Sequence, residues 1–128
     1  LSLKKLDFID SIVGHDHNQK HQEDALKLGL VEKIVTFDEI KHYDIIILAI
    51  PVNGVIASLE KLKDVPQNTT IIDLGSTKEL IVNSVPPCIR KNFIPAHPMT
   101  GTENFGPHAA IDGLYKDKVV VLCDLEDS

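Results

Sequence analysis

The chain has 128 residues, 43% of them hydrophobic and 25% charged, which is enough for one globular domain with a real core. The formal net charge is −6 with no block of Lys or Arg, which argues against nucleic acid or an anionic membrane as a partner. No apolar run approaches the ~20 residues that span a bilayer, no basic stretch leads into a long apolar one as in a secretory leader, and the two cysteines, Cys88 and Cys123, read as reduced thiols far apart in sequence, so the expected location is the cytoplasm.

The sequence begins at Leu1 rather than Met, and residues 1–6 read as the end of a helix, so a piece of a longer chain is expected. Residues 10–14 form a short strand candidate. Asn18 is placed to cap a helix over residues 19–28, with Gly29 as its C′ residue. In that helix Ala25 and Leu28 are expected to face a sheet, while Lys20, Glu23 and Lys27 stay in water. Residues 32–35 read as a second strand and 37–40 as one helical turn. Residues 44–50 are apolar at successive positions, the pattern of a strand buried on both faces. Pro51 ends it and suits a helix start, and Val55, Ile56, Leu59 and Leu62 recur at helical spacing until Pro66. Residues 69–74 read as a strand, 75–77 as a turn, and 78–85 as a helix stopped by Pro86-Pro87. Phe93-Ile94 reads as a short strand leading into a loop that carries His97. Residues 118–123 read as a last strand, and 124–128 as a linker or the start of a helix.

Strands alternate with helices throughout. That order predicts an α/β fold, a doubly wound, mostly parallel sheet of the Rossmann type. In such sheets ligands bind outside the carboxyl ends of the strands. Asp16 follows the first strand there. Ala49, Ile50, Pro51 and Val52 follow the long one, Gly75, Ser76, Thr77 and Lys78 the next, and His97 the last of the four. All four sets are expected to converge on one rim.

Each of these residues carries two readings. Asp16 is either a ribose-binding carboxylate, favouring NAD over NADP, or a helix-N-terminal Asp stabilised by the macrodipole. Ser76 is either an N-cap or a hydroxyl aimed at a ligand. Lys78 is either a solvated residue or a charge partner near the site; a cation at a helix N-terminus opposes the dipole, which leans towards function. His97 lies between Pro95 and Pro98, which stiffen the backbone around an imidazole suited to proton transfer near pH 7. His17 and His21 have helical metal-ligand spacing, but no third ligand stands nearby, and no metal is expected. A glycine fingerprint belongs about 20 residues before Asp16. Counting back runs off the front of the chain, so the first strand and its loop are expected from upstream residues; without them two parallel edges lie open.

Four motifs, Gly14-His15-Asp16-His17-Asn18, Leu48-Ala49-Ile50-Pro51-Val52, Asp73-Leu74-Gly75-Ser76-Thr77-Lys78 and His97-Pro98-Met99-Thr100-Gly101-Thr102-Glu103 with Gly106, occur in the order and rough spacing of the prephenate/arogenate dehydrogenase family, which the chain resembles over most of its length. The resemblance implies that residues 1–128 are a dinucleotide-binding domain, incomplete at its N-terminus and without the family's helical, dimer-forming C-terminal domain. It implies NAD-dependent oxidative decarboxylation of prephenate to 4-hydroxyphenylpyruvate in tyrosine biosynthesis, with prephenate or arogenate as substrate. His97 would draw off the ring hydroxyl proton. Ser76 would support it and contact the nicotinamide region, Thr102 and Glu103 would lie at the substrate end of the pocket, and Asp16 would hold the adenosine ribose. The alternatives are another NAD(P)-dependent dehydrogenase, of β-hydroxyacid type, and a non-catalytic NAD-sensing domain.

Overall fold

Asn18 begins the first long helix as its residue type predicts. Its side-chain oxygen accepts the N–H groups of Lys20 and His21, two donors that a helix start leaves without partners. The structure, a computed structural model, describes residues 1–101 and 103–123. Thr102 and residues 124–128, with the substrate contact and the linker expected there, lie outside the described residues.

The element order is β1 (Val13–Gly14), α1 (Gln19–Lys27), β2 (Lys33–Ile34), α2 (Phe37–Ile40), β3 (Ile45–Leu48), α3 (Val52–Lys61), β4 (Thr70–Asp73), α4 (Lys78–Asn83), β5 (Phe93–Pro98) and β6 (Val120–Leu122). Short 3-10 turns add Leu3–Lys5, where the end of a helix was expected, Pro87–Asn92, which the pattern did not predict, and Pro107–Ala109. No helix is long and apolar enough to cross a membrane among the described residues.

The chain divides into two units. The first joins Leu1–Ile40 to Thr100–Lys118. In it β1 and β2 pair in parallel, and the 3-10 turn Pro107–Ala109 packs on α1. α1 stops at Leu28, and Gly29 takes the left-handed backbone (φ 63°) that the helix end requires. Lys20, Glu23 and Lys27 are exposed as expected, but so is Leu28, and no residue of α1 is fully buried. The helix rests on this unit along a thin stripe only.

The second unit joins Lys41–Met99 to Val119–Ser128 and holds the core. Its sheet runs β3-β4-β5-β6, parallel through β5, with β6 antiparallel at the edge. Val55, Leu59 and Leu62 from the α3 segment, Ile81 from α4, and Ile71 and Phe93 from the sheet are fully enclosed. Leu62 and Val65 close the pattern that Pro66 was expected to end.

Two sequence expectations need correction here. β3 is not buried on both faces: Ile46 and Leu48 are, while Ile45 and Ile47 remain 49% and 40% exposed. Successive apolar residues in a strand supply two faces, and only one of them is covered in this unit. β5 is longer than its two apolar residues suggested, and His97 sits inside it, opposite Val121 of β6, rather than in a loop. Pro98 fits because it stands at the end of β5. The Pro95 carbonyl accepts from Cys123 N at 2.9 Å. By alternation the missing N–H of Pro98 would point past the end of β4.

Candidate functional site

The carboxyl ends of β3, β4 and β5 lie side by side, because their registers are in step. Leu48 pairs with Asp73, and Asp73 with Pro95. Gly75 lies two residues beyond that last pair in the turn leaving β4, and His97 two residues beyond it within β5. The stretch 49–52 leaves β3 at the same end and turns into α3 at Pro51, whose φ of −56° matches its ring constraint. Among the residues predicted for the site, Ala49, Ile50, Pro51, Val52, Ser76, Lys78 and His97 therefore all belong to the second unit and to one end of its sheet.

His97 is half-buried, and its ring Nδ1 is a buried atom with no hydrogen-bond partner among the described residues. An orphaned buried polar atom costs about 1–3 kcal/mol, and such atoms persist where a ligand or a catalytic step needs them. Ser76 is exposed at the tip of the turn between β4 and α4. It is not the N-cap of α4: that position is Thr77, whose side chain makes no capping bond. Of the two readings of Ser76, the capping one is removed.

Lys78 is neither solvated nor directed outward. Its ammonium donates to the Asp73 carboxylate (Oδ2, 2.5 Å) and to the Asp73 carbonyl (3.0 Å), and its side chain is 15% exposed. Asp73 is completely enclosed, and its Oδ1 accepts the Gly75 N–H at 2.8 Å. A buried Asp at the end of an apolar strand was not singled out in the sequence. The available signal was the spacing itself: Asp, then Gly two residues on, then Lys five residues on.

In the first unit Asp16 follows β1, and its carboxylate is held by three groups. Oδ1 accepts from Asn18 N at 2.8 Å, Oδ2 lies 3.2 Å from His21 Nδ1, and His17 Nδ1 is 3.8 Å from Oδ1. Burial pushes the Asp16 carboxyl up, but the Asn18 N–H and the His21 and His17 rings outweigh it, so it titrates below the ordinary carboxylate range. His21, considered above as a metal ligand, is thus an Asp16 partner. On its other side the ring backs onto Gly106, where an added Cβ would stand 3.3 Å from Nε2. His108 Nε2 lies 3.1 Å from Asp24 of α1. Glu103 is exposed in the same unit. Among the described residues no three His, Cys, Asp or Glu side chains are grouped to hold a metal.

An imidazole and a Gly-Ser turn at the same end of a mostly parallel sheet are the features on which the comparison with known proteins bears. The family model for the nucleotide-binding domain of prephenate dehydrogenase matches residues 1–128. The chain belongs to the prephenate dehydrogenase family. It is 29% identical over 128 residues to the prephenate dehydrogenase of Bacillus subtilis, covering 95% of this chain and 34% of that one. It is 31% identical over 130 residues to that of Lactococcus lactis subsp. cremoris, covering 97% and 36%. Among solved structures it is similar to the Aquifex aeolicus prephenate dehydrogenase in complex with hydroxyphenyl propionate and NAD+, at 27% identity and a TM-score of 0.88, over 99% of this chain and 46% of that one. The Rossmann-like α/β fold of the family is thus the fold of this chain. The chain spans about a third of the length of these curated relatives.

Proposed function

We propose that this chain is the cofactor-binding and proton-transfer part of an NAD-dependent prephenate dehydrogenase, which converts prephenate to 4-hydroxyphenylpyruvate and CO2. The observation that carries the reading is His97: a buried ring nitrogen without a partner among the described residues, near the carboxyl end of β5, the sheet end at which the turn bearing Ser76 leaves β4. The relative crystallised with NAD+ and hydroxyphenyl propionate supports both the cofactor and the substrate class.

NAD, when bound, accepts the hydride from the carbinol carbon of the substrate. His97 takes the proton of the carbinol hydroxyl as that hydride departs, and Ser76 orients the same hydroxyl. Loss of CO2 then makes the ring aromatic. Residues 49–52 line the cofactor along the sheet end, with Lys78 close by. Asp16 receives the adenosine ribose hydroxyls: its oxygens have lone pairs left after their bonds to Asn18 and His21. Its negative charge disfavours a 2′-phosphate. Thr102 and Glu103 are assigned to substrate recognition. The remaining sequence supplies the glycine loop and a helical domain that forms a homodimer in the cytoplasm.

The test is His97→Asn in the full-length protein, read as prephenate-dependent NADH formation. The rate is expected to fall by about 10²–10⁴-fold, the usual worth of a general base. A loss of less than about fivefold, well short of that range, overturns the reading. It points instead to an enzyme of β-hydroxyacid type, whose proton acceptor lies elsewhere.

A further inference from the structure

The proposed chemistry uses His97 and Ser76 and leaves one costly feature without a task. Asp73 is a fully enclosed carboxylate on the core face of β4, beside Ile71 and Ile81. Burying an ion pair seldom adds net stability, and an apolar pair of similar size commonly serves as well. Stability alone therefore does not account for it.

What the carboxylate does is geometric. Oδ1 holds the N–H of residue 75, Oδ2 holds the ammonium of residue 78, and that ammonium also returns to the Asp73 carbonyl. These bonds close the segment 73–78 on itself, with Ser76 at its exposed tip. The closure is tight at Gly75: a Cβ there would stand 3.0 Å from Asp73 Oδ1 and 3.0 Å from Ile81 Cδ1, so those side chains would have to give by a few tenths of an ångström. Strand alternation and register put the side chains of Asp73, Pro95 and His97 on the same face of the sheet. The loop that Asp73 shapes thus leaves β4 at the same end of the sheet as His97 on the neighbouring strand β5.

We infer that Asp73 is a positioning residue: through the Gly75 N–H and the Lys78 ammonium it sets where the Ser76 hydroxyl stands relative to His97. The inference rests on the proposed dehydrogenase reading and assigns Lys78 to the same device rather than to the cofactor.

The test uses the full-length protein carrying Asp73→Asn, Lys78→Met, Lys78→Arg, or Asp73→Asn with Lys78→Met. Each variant is read by kcat, by KM for prephenate and for NAD, and by thermal midpoint. Asp73→Asn is expected to lower kcat by roughly 10²-fold, the scale of a small misplacement at a reacting centre, with both KM values nearly unchanged. Lys78→Arg, which keeps a cationic donor, retains more of kcat than Lys78→Met. The double variant has no unpaired buried charge, so its thermal midpoint returns towards that of the parent while kcat stays low. It also carries the test where either single variant fails to fold.

If kcat recovers together with the midpoint in the double variant, the pair is structural and the inference is overturned. A Lys78→Met variant that raises KM for NAD at unchanged kcat overturns it in favour of a cofactor contact. His97→Asn run alongside separates the two levels. If it leaves the rate intact, the dehydrogenase reading itself fails; if it abolishes the rate while Asp73→Asn does not, only the positioning role fails.

Discussion

Asp16 carries a pH dependence and, on the proposed reading, a cofactor specificity. Its carboxyl is held below the ordinary range because the bonds from Asn18 and the histidines stabilise the charged form more than burial disfavours it. A carboxyl depressed in the folded state adds stability above its unfolded value of about 4, and loses that contribution as the pH falls through its lower folded value. Asp16→Asn is therefore expected to lower the thermal midpoint at pH 7, and the gap from the parent should shrink as the pH drops below about 4. In the full-length protein the same substitution should weaken NAD binding and leave NADP binding equal or stronger, as titration calorimetry with each cofactor would read. The place of Asp16 after a strand and before a capped helix was legible in the sequence, because those neighbours are set by local residue types. His21 was not: its helical spacing from His17 suggested a metal, and only the fold brings its ring to Asp16.

At the level of elements, the alternation of strands and helices was readable throughout, and the ends were not. The Asn18 cap, the Gly29 stop and the Pro51 start are local devices, each fixed by its own side chain or ring, and they stand where the residue types predict. The length of β5 depends on partners far away in sequence: residues 95–98 are extended because β6 pairs with them, which no local pattern records. The 3-10 turn Pro87–Asn92 is of the same kind. It ends in Asn92, 7% exposed, whose side-chain amide donates to the carbonyls of Pro66 (3.0 Å), Gln67 (3.2 Å) and Thr69 (2.7 Å). One amide thereby ties the loop between α3 and β4 to the start of β5. Asn92→Ala leaves those carbonyls short of a donor and should cost about 1–3 kcal/mol. Asn92→Asp, which sets a negative acceptor against three carbonyl oxygens, should cost more. Because Asn92 lies at the amino end of β5 and His97 near its carboxyl end, chemical denaturation is expected to register both substitutions while kcat of the surviving folded protein stays near that of the parent.

For the molecule as a whole, the charge inventory bears on how much of the proposed reaction this chain would perform. Prephenate carries two carboxylates, and a dianion in a partly buried site needs fixed cations, for which arginine with its paired donors is the usual choice. The sequence holds one arginine, Arg90. It stands in the turn before β5, and His97 lies about 13 Å further along the strand by the usual rise. Lys78, at the right end of the sheet, has its ammonium folded back onto Asp73. On the proposed reading the 49–52 stretch and His97 serve the cofactor end of the site, while among the described residues the one arginine precedes β5 and Lys78 is paired with Asp73. Anchoring by remote parts of a substrate is what converts binding energy into orientation at the reacting carbon. The 128-residue segment mixed with NAD and prephenate is therefore expected to form NADH at under roughly a hundredth of the full-length rate. The deficit should lie in substrate binding, with the reduced rate still rising linearly at the highest prephenate concentrations used. Saturating turnover by the segment alone would mean that its own lysines hold the dianion, and that the further sequence of its relatives serves assembly rather than chemistry.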